Sequence, residues 1–578
     1  MAARALSWWR AGVVLLAFLG AALVVDHQRL DSATMDEPFH ALAGAEYAIS
    51  GTYYANLEHP PLAKLLAGVS LAAAGARAPR LPRPFSFATA EMPMPFCYGN
   101  AIPPDDLFAA ARRPFPLLFA ALVVTAGLWA GARAGAVAGL GAAALLAFEP
   151  TLVAHAGFLH TDVASALGFL VTTLLLLRAL ERRSLPAFAG SGLALGLTLA
   201  TKFSAVFLAP VVVLLGLFHL LLDRRAGRPP LATRRGAAGL ALLCAVALAS
   251  LLAVYQVSLR AMSAGEAEQS ARQFLDSRWV KGEEQERVAA VSRAFPALGH
   301  YAAGLTGVAA QNRFGGGVNV LHGKLSVEGF PEYFFVALGV KTALGLLALL
   351  AASAVLLLLR RTRADFPLLA LSLPAAQLLL SGVGASYNIG VRHMLPALVL
   401  LTLGAVVVAV RSLPARAAAA LLAVCAAVQA AETLAVHPHE VSFFNALAGG
   451  PGNGEAWLSD SNLDWGQDLR RLPAVLARLG IPEEAVTVAY FGGAYPPYHL
   501  PRSRSFDAAS GDVPGGVTAV SSYLLAAAPE LMRLRGKGAE ADGYERLRRA
   551  VREAGAPLAR VGYSIALHRL PARGPAAP

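Results

Sequence analysis

Two adjacent acids, Asp36 and Glu37, follow the first apolar segment of the chain in the stretch TMDEPFHAL. A carboxylate at the end of a transmembrane helix has two common uses. It caps the next helix and faces water, or it takes a proton from a reacting hydroxyl. Pro38 favours capping, because proline is preferred in the first turn of a helix. The acid pair alone leaves both interpretations open.

The segment NLEHPPLAKL adds Glu58, His59 and Lys64 to the same loop. Its two prolines stiffen the backbone ahead of a predicted helix that contains Lys64. His59 and Lys64 are candidates for a cationic pair that holds an anion near the membrane surface. The structural alternative is a lysine that extends its amine to the surface and a histidine in a turn.

Two later turns between apolar runs also contain ionisable residues. FLHTDVA contributes His160 and Asp162, and YNIGVRHMLP contributes Arg392 and His393. Ionisable groups at membrane depth are costly and tend to be functional, although Asp162 or Thr161 can also cap the following helix. An arginine in such a position binds a phosphate through parallel hydrogen bonds.

The segment SDSNLDWGQDL, residues 459–469, is similar to the start of a calcium-binding loop. Its alternate positions are Asp460, Asn462 and Asp464. An EF-hand requires glycine where Trp465 stands and glutamate where Arg471 stands. We therefore predict a polar loop that caps a helix beginning at Asp468.

Other potentially reactive residues give no comparable signal. Lys202 and Lys341, near outer helix ends, are further but weaker candidates, because a lysine that extends to the membrane surface explains each of them. The three cysteines are too few for a disulfide framework or a zinc site. The sequence contains no P-loop, HExxH or GxSxG motif, which argues against ATP-driven transport, a metalloprotease and a serine hydrolase.

The elements that must position these residues are apolar helices. Of the 578 residues, 56% are hydrophobic and only 15% are charged, so a water-soluble protein is excluded. Apolar runs of spanning length, about 17 to 25 residues, number about eleven. They lie at 8–25, 114–131, 134–149, 163–180, 187–201, 203–222, 236–255, 333–359, 366–383, 393–410 and 416–432. The predicted fold class is a polytopic α-helical membrane protein.

Arginine clusters predict the orientation of these helices. RALERR, DRRAGR, TRRG and LRRTR occur between apolar runs, as the positive-inside rule requires of cytoplasmic loops. The net charge of +12 therefore indicates membrane topology and not nucleic-acid binding. Arg4 and Arg10 predict a cytoplasmic N-terminus and a first helix that is retained. The predicted outside segments are 26–113, 158–164, 256–332, 386–393 and the tail from 437.

The tail differs in character from the apolar part. EAVTVAYFG, VTAVSSYLL and GYSIALHRL are predicted strands, and LRRLPAVLARLG and YERLRRAVREAG are predicted amphipathic helices. We therefore predict a transmembrane domain over 1–436 and a small extracytoplasmic α/β domain over 437–578. PPLAKLLAGVSLAAAG in the first loop is shorter than a span and is predicted to lie in the interface.

One predicted face of the membrane thus collects acids and bases from distant loops. The acids are Asp36, Glu37, Glu58 and Asp162, and the bases are His59, Lys64, Arg392 and His393. Transfer of a group from a phospholipid carrier requires acids that activate the acceptor hydroxyl and, opposite them, basic side chains that hold the lipid phosphate. Capping is a sufficient explanation for Glu37 but no longer for Asp36.

The first-loop pattern DEPFH…Y…NLEHPPLAKLLAG resembles the protein O-mannosyltransferase family and its bacterial relatives. Those relatives include lipid A aminoarabinose transferases and other phospholipid-carrier-dependent glycosyltransferases. EPTLVAHAGFLHTDVA and YNIGVRHMLP extend the resemblance over about residues 10–435. It implies a GT-C fold in the inner membrane of a bacterium. It also implies inverting transfer of a sugar from a polyprenyl-phosphate donor to a hydroxyl of a protein, lipid A or another envelope glycan, at the periplasmic face.

The resemblance also implies roles for individual residues. Asp36 would be the general base, with Glu37 in support and Asp162 as a further acid of the site. The residues that would hold the donor phosphate are His59, Lys64, Arg112, Arg392 and His393. The residues that would line the substrate are Glu58, His160 and Tyr387. Glu58 and His59 are also candidate ligands of a divalent metal ion, which many enzymes of this fold use and others do not.

The chain departs from these families at two points. Residues 256–332 are too short for the β-trefoil domain of eukaryotic protein mannosyltransferases, and His59 stands where aminoarabinose transferases have lysine. The second departure argues against an aminoarabinose donor. Two other functions stay open: a transporter or flippase of lipid-linked sugars, and a scaffold built around the tail domain. Clustering of the charges on one face, and not along a path through the membrane, favours the glycosyltransferase.

Overall fold

A computed structural model describes residues 8–571 except 80, 82–92, 228–229, 315–316, 363–364, 511 and 514. Arg4 and parts of the DRRAGR and LRRTR clusters lie outside the described residues. The helices before residue 260 are α1 (Trp8–Leu30), α2 (Glu37–Ala45), α3 (Leu62–Ala73), α4 (Pro93–Tyr98), α5 (Pro104–Arg112), α6 (Pro114–Ala134), α7 (Ala136–Ala147), α8 (Pro150–Ala156), α9 (Asp162–Arg182), α10 (Leu185–Leu199), α11 (Leu208–Arg225) and α12 (Pro230–Ser258).

The second half of the helical part contains a three-helix loop and five further helices. They are α13 (Ala264–Ser277), α14 (Glu283–Ala294), α15 (Pro296–Phe314), α16 (Tyr333–Lys341), α17 (Leu344–Leu358), α18 (Phe366–Val383), α19 (Leu395–Ser412) and α20 (Ala415–Val436). A short antiparallel hairpin of β1 (Asn319–Leu321) and β2 (Lys324–Ser326) follows α15.

The predicted polytopic helical membrane fold is confirmed. Among the described residues, eight helical segments are long and apolar enough to cross a membrane. Two bent pairs, α7 with α8 and α16 with α17, raise the number to ten if each pair is one span. The eleventh predicted run forms α10, whose 15 residues extend only about 22 Å. A hydrocarbon core is about 30 Å thick, so α10 is too short to count as a straight span.

The bend between α7 and α8 follows from Glu149 and Pro150. Proline has no N–H for the helix ladder, and the Glu149 carboxylate accepts a hydrogen bond from Leu152 N at 2.6 Å, which starts α8 as a new helix. The two helices meet at 60°. The bend aims α8 at the turn that contains His160.

Helices α2 and α3 pack closely because glycines face each other at their crossing. A Cβ atom on Gly68 would lie 1.8 Å from the carbonyl oxygen of Gly44. Small residues at helix crossings allow this approach. The contact fixes the segment after Asp36 against the segment after His59, so the two predicted parts of the first loop are held together.

The basic ends of the helices lie together, away from the predicted site. Arg183 at the end of α9 pairs with Asp223 in α11 at 2.6 Å, and Arg411 in α19 pairs with Asp365 before α18 at 2.7 Å. The helix starts at Asp162 and Arg392 are adjacent at the other end of the bundle. This arrangement, with basic helix ends on one side and candidate site residues on the other, is the one predicted from the arginine clusters.

The tail forms a five-stranded sheet with helices. Its elements are α21 (Leu472–Leu479), β3 (Val486–Ala489), α22 (Pro496–His499), β4 (Arg504–Ser505), β5 (Gly516–Ser521), α23 (Ser522–Leu534), α24 (Gly538–Ala554), β6 (Ala559–Val561) and β7 (Ile565–Leu570). The strand order is β4-β3-β5-β7-β6. Strand β3 runs parallel to β4 and β5, and β7 runs antiparallel to β5 and β6.

The predicted α/β character of the tail is confirmed, with one correction. VTAVSSYLL is not one strand, because β5 ends at Ser521 and α23 begins at Ser522. Two groups outside the helix accept its first N–H groups: the Ser564 carbonyl oxygen bonds Ser522 N at 2.9 Å, and the Asp464 carboxylate bonds Tyr523 N at 3.0 Å. Those acceptors are distant in sequence, so the local pattern did not reveal the start of the helix.

Candidate active site

Glu37 is fully buried and fully paired. Arg112 donates Nε to Oε1 at 2.8 Å and Nη2 to Oε2 at 2.6 Å. Thr34 N and Leu159 N each donate to the same carboxylate at 2.9 Å. Glu37 therefore joins the first loop to α5 and to the turn before α9, which is a structural role.

Arg112 has no N–H group left for a phosphate. Besides its two bonds to Glu37, it donates to the carbonyl oxygens of Gln28, Asp31 and Ser32 at 3.0 to 3.1 Å. An arginine side chain has five N–H donors, and these contacts use all of them. The predicted phosphate-binding role of Arg112 does not fit this geometry; Arg112 positions the first loop.

Asp36, in contrast to Glu37, is half-exposed, with 39% of its side chain accessible. It stands at the N-cap of α2 but makes no capping hydrogen bond. Its Oδ2 lies 3.5 Å from Nη2 of Arg392. The capping explanation therefore does not account for Asp36, and its carboxylate is accessible to a substrate.

Four side chains of alternating sign form a row that we call the charge row: Lys202, Asp162, Arg392 and Asp36. Lys202 Nζ lies 2.5 Å from Asp162 Oδ1, and Arg392 Nη1 lies 3.6 Å from Asp162 Oδ2. Lys202 and Asp162 are both buried. The prediction that Lys202 extends to the membrane surface is wrong, because its amine is bound to Asp162.

Arg392 is buried at the start of the α19 segment but has hydrogen-bonding capacity to spare. Its Nε donates to Ser461 Oγ at 3.2 Å, and its guanidinium lies over the Trp465 ring at 4.3 Å from the ring centre. No described residue accepts a hydrogen bond from its terminal N–H groups. A fork of free N–H groups beside an accessible carboxylate suits a phosphate oxyanion.

The segment 459–468 builds one wall of the site, which the sequence prediction of a polar loop missed. Asn462 accepts a hydrogen bond from Val391 N at 2.9 Å, and Ser461 Oγ donates to Ile389 O at 2.5 Å. Trp465 stacks on the His160 ring, with ring centres 4.1 Å apart and planes 23° apart. The polar residues spaced around Trp465 are the sequence signal of this wall, and a calcium-loop pattern alone does not account for them.

Lys341 supports the same segment from below. Its Nζ donates to the carbonyl oxygens of Asn462 at 2.5 Å and Val441 at 2.8 Å, and it is buried. The prediction that the amine of Lys341 extends to the membrane surface is therefore wrong as well.

The histidines next to the charge row have lowered pKa values. Burial lowers the pKa of His160 and His59 well below the usual value, and it lowers the pKa of His40 as well. The ring centres of His40 lie 5.1 Å from His160 and 5.6 Å from His59, and His40 Nδ1 donates to Leu159 O at 2.9 Å when it is protonated there. His160 thus lies in the site as predicted, and His40 joins it although the sequence analysis assigned it no role.

Lys64 does not form the predicted cationic pair with His59. Its fully buried amine donates to the carbonyl oxygens of Asn56 at 2.6 Å and His59 at 2.8 Å, and to the Tyr47 hydroxyl at 3.2 Å. It also lies over the Tyr53 ring, 5.6 Å from its centre. Lys64 holds the turn that presents His59, so it has no access to a phosphate.

The other predicted residues lie at the edge of the site. Tyr387 is largely buried, and this burial, together with the nearby Asp460 and Asp36 charges, raises the pKa of its phenol. The ring of His393 packs edge-on against Phe334, and its Nε2 has no hydrogen-bond partner among the described residues.

The predicted metal ligands do not form a metal-binding arrangement. Glu58 forms an ion pair with Arg278, which lies in the loop after α13. Within the described ranges, no group of three or more His, Cys, Asp or Glu side chains is arranged to hold a metal ion. A metal role for Glu58 and His59 therefore does not fit this geometry.

Residues 109–254, about a quarter of the chain, match the family model described as dolichyl-phosphate-mannose-protein mannosyltransferase. The matched part contains four residues placed at or near the site above: Arg112, His160, Asp162 and Lys202. This match supports the GT-C glycosyltransferase superfamily predicted from the first-loop pattern. No curated protein matches the chain.

Several solved structures are similar to this chain at low identity. The Saccharomyces cerevisiae protein O-mannosyltransferase Pmt1-Pmt2 complex bound to the sugar donor is 18% identical over 44% of this chain and 34% of that chain, with a TM-score of 0.35. The Archaeoglobus fulgidus oligosaccharyltransferase AglB, with an inhibitory peptide and a dolichol-phosphate, is 15% identical over 70% of this chain and 50% of that chain, with a TM-score of 0.41.

A bacterial structure overlaps along nearly the whole length. ArnT from Cupriavidus metallidurans bound to undecaprenyl phosphate is 14% identical over 96% of this chain and 98% of that chain, with a TM-score of 0.33. By contrast, the present chain spans about a third of the Pmt chain and half of the AglB chain. At these TM-scores the similarities assign no residue role.

Proposed function

We propose that the chain is an integral membrane glycosyltransferase that moves a sugar from a polyprenyl-phosphate donor to a hydroxyl of an acceptor. The observation that carries this proposal is the pair of Asp36 and Arg392. An accessible carboxylate lies 3.5 Å from a guanidinium whose terminal N–H groups have no hydrogen-bond partner among the described residues. A base for the acceptor and an anion site for the leaving group are thus adjacent.

The reaction that suits this pair is a single displacement. The acceptor oxygen attacks the anomeric carbon while its proton passes to the Asp36 carboxylate. The bond between the anomeric carbon and the phosphate oxygen breaks, and the lipid phosphate leaves with the bonding electrons. The N–H groups of Arg392 stabilise the negative charge of the leaving phosphate. Attack from the face opposite the leaving group inverts the anomeric centre.

The buried half of the charge row keeps Arg392 available for this role. Lys202 lies 2.5 Å from Asp162 and compensates most of its charge. Arg392 lies 3.6 Å from the other Asp162 oxygen, which exceeds the usual length of a charge-assisted hydrogen bond. Asp162 therefore orients Arg392 without consuming its N–H groups.

The donor class and the cellular location are part of the proposal. The family description that residues 109–254 match contains a dolichyl-phosphate-linked sugar, which supports a polyprenyl-phosphate donor. The arginine clusters support a cytoplasmic N-terminus, which puts the site and the tail domain at the periplasmic face of a bacterial inner membrane. The proposed acceptor is a protein, lipid A or another envelope glycan.

The test uses the purified protein in proteoliposomes with undecaprenyl-phosphate-linked [¹⁴C]mannose, followed by the corresponding glucose and galactose donors. We expect Asp36→Asn to reduce transfer to envelope acceptors about 100- to 10,000-fold, the range for loss of a general base. Asp365→Asn, an acid at the opposite end of the bundle that pairs with Arg411, is the matched control. Transfer by Asp36→Asn at the control rate would refute the assignment of the base. Movement of intact donor across the bilayer without cleavage would instead support a flippase.

A further inference from the structure

We infer that Trp465 is a positioning residue for Arg392, and that through it the C-terminal domain sets the affinity of the site for the donor phosphate. The inference rests on the proposed function, because it takes Arg392 as the phosphate-binding group. It concerns a segment, residues 459–468, that follows the last membrane helix and contributes the wall of the site described above.

The Trp465 ring lies between a histidine and an arginine. Its centre is 4.1 Å from the His160 ring centre and 4.3 Å from the Arg392 guanidinium carbon. Two groups about 4 Å from one ring centre cannot share a face without overlapping, so they occupy opposite faces. The ring is 1% exposed, which leaves no face for a sugar to stack on. Trp465 therefore acts on the reaction only through its two neighbours.

Arg392 depends on this contact because its other restraints are few. The carboxylates of Asp36 and Asp162 are 3.5 and 3.6 Å away, longer than charge-assisted hydrogen bonds of about 2.7 to 2.9 Å. In the described part of the chain, the Arg392 side chain makes one hydrogen bond, to Ser461, which lies in the same segment as Trp465. The aromatic face and the neutral hydroxyl fix the orientation of the guanidinium. They leave its terminal N–H groups available to bind the substrate.

The segment is itself fixed on both sides. Met35 N, next to Asp36, donates to Trp465 O at 3.0 Å, and Ser32 Oγ donates to Gly466 O at 2.8 Å. On the other side, the Tyr490 hydroxyl donates to Gly466 O at 2.6 Å. The Asp464 carboxylate accepts the Tyr523 N–H at the start of α23. The sheet domain and the first loop thus hold the same tryptophan, and a change in the docking of the domain changes the restraint on Arg392.

The test measures binding of farnesyl phosphate, a short polyprenyl phosphate, to the full chain in detergent. We expect Trp465→Leu to weaken binding about 10- to 30-fold, as loss of a desolvated cation–π contact predicts. Trp465→Phe keeps an aromatic face and is expected to stay within about threefold of the parent protein. Ser461→Ala removes the hydrogen bond from Arg392, together with the one that Ser461 Oγ donates to Ile389 O, and is expected to weaken binding several-fold.

The matched control is Trp457→Phe. Trp457 precedes the same segment, but its contacts are the Ala448 carbonyl oxygen at 2.9 Å and the His322 ring, both away from the charge row. Farnesyl phosphate binding by this variant should be unchanged. Thermal unfolding of each variant reports whether it is folded, and if Trp465→Leu is not, Ser461→Ala carries the test, because its side-chain change is small.

Arg392→Gln separates failure of this inference from failure of the proposed function. If Arg392→Gln weakens binding and neither Trp465→Leu nor Ser461→Ala does, the positioning role is refuted and the proposed phosphate site stands. If Arg392→Gln also leaves binding unchanged, the proposed phosphate site itself fails and the inference falls with it. Weaker binding in Trp465→Leu, with recovery in Trp465→Phe, supports the inference, since a merely structural role would not separate these two folded variants.

Discussion

The Arg392 guanidinium lies 3.5 Å from the Asp36 carboxylate, close enough to attract it and too far to bond it well. A second arginine–acid pair at the first loop, Arg112 with Glu37, is closed by two hydrogen bonds of 2.8 and 2.6 Å. The closed pair is buried and holds the loop in place. The open pair, Arg392 with Asp36, has an accessible carboxylate, and the terminal N–H groups of its arginine have no hydrogen-bond partner among the described residues.

The closed pair predicts a large loss of stability when it is broken. Removing one partner of a buried ion pair leaves an uncompensated charge and costs about 3 to 5 kcal/mol. We therefore expect Arg112→Gln or Glu37→Gln to lower the thermal unfolding temperature of the detergent-solubilised protein strongly. The double variant should be more stable than the sum of the single effects predicts. Additive losses in this double-mutant cycle would contradict the pairing.

The open pair predicts a loss of function with little loss of stability. Arg392→Lys keeps the positive charge but lacks the planar fork, the contact with Ser461 and the favourable stacking on Trp465. We expect the KM for an undecaprenyl-phosphate-linked sugar to rise about tenfold or more, with the unfolding temperature nearly unchanged. Arg411→Lys, at an exposed pair with Asp365, is the control and should behave like the parent. An unchanged KM in Arg392→Lys would show that the fork does not bind the donor.

How much the sequence predicted depends on the distance between partners. Apolar runs and basic clusters are local patterns, and they located the helices and brought Asp36, Asp162 and Arg392 to one end of the bundle. The partners that decide each role are remote: Glu37 and Arg112 are 75 positions apart, and Arg392 and Ser461 are 69 positions apart. An acid and an arginine that form a closed, buried pair cannot be distinguished by sequence alone from an acid and an arginine that form an open pair. Only packing separates a structural arginine from one that is free to bind substrate.

Asp460 predicts a pH dependence of phosphate binding. Burial raises the pKa of its carboxyl to about 7, and the Asp36 charge adds to the rise against the opposing effect of Arg392. Protonation below about pH 7 neutralises the group; above that pH, a third negative charge faces Arg392, besides Asp36 and Asp162, near the Tyr387 and Tyr523 hydroxyls. Farnesyl phosphate binding should therefore weaken as the pH rises from 6 to 8.

The control for this pH effect is Asp460→Asn. The phosphate probe titrates in the same range, but it does so equally with both proteins, so the difference between their pH profiles isolates Asp460. Because the folded pKa lies above that of the unfolded chain, this group also lowers folding stability as the pH rises from about 4 to about 7. Identical pH profiles for the two proteins would refute the effect.

The charge row predicts that Lys202 neutralises Asp162 and so keeps Asp162 from forming a close ion pair with Arg392. In Lys202→Met, the buried Asp162 loses its partner at 2.5 Å and its nearest remaining cation is Arg392, 3.6 Å away. We expect Asp162 to close on Arg392, so that farnesyl phosphate binding weakens about tenfold and stability falls by about 3 kcal/mol or more. Adding Asp162→Asn removes the competing charge, so the double variant should regain most of the binding although Lys202 is absent. The readout is the dissociation constant of all three variants at one pH. A double variant that binds no better than Lys202→Met would show that Lys202 contacts the phosphate itself and does not act by neutralising Asp162.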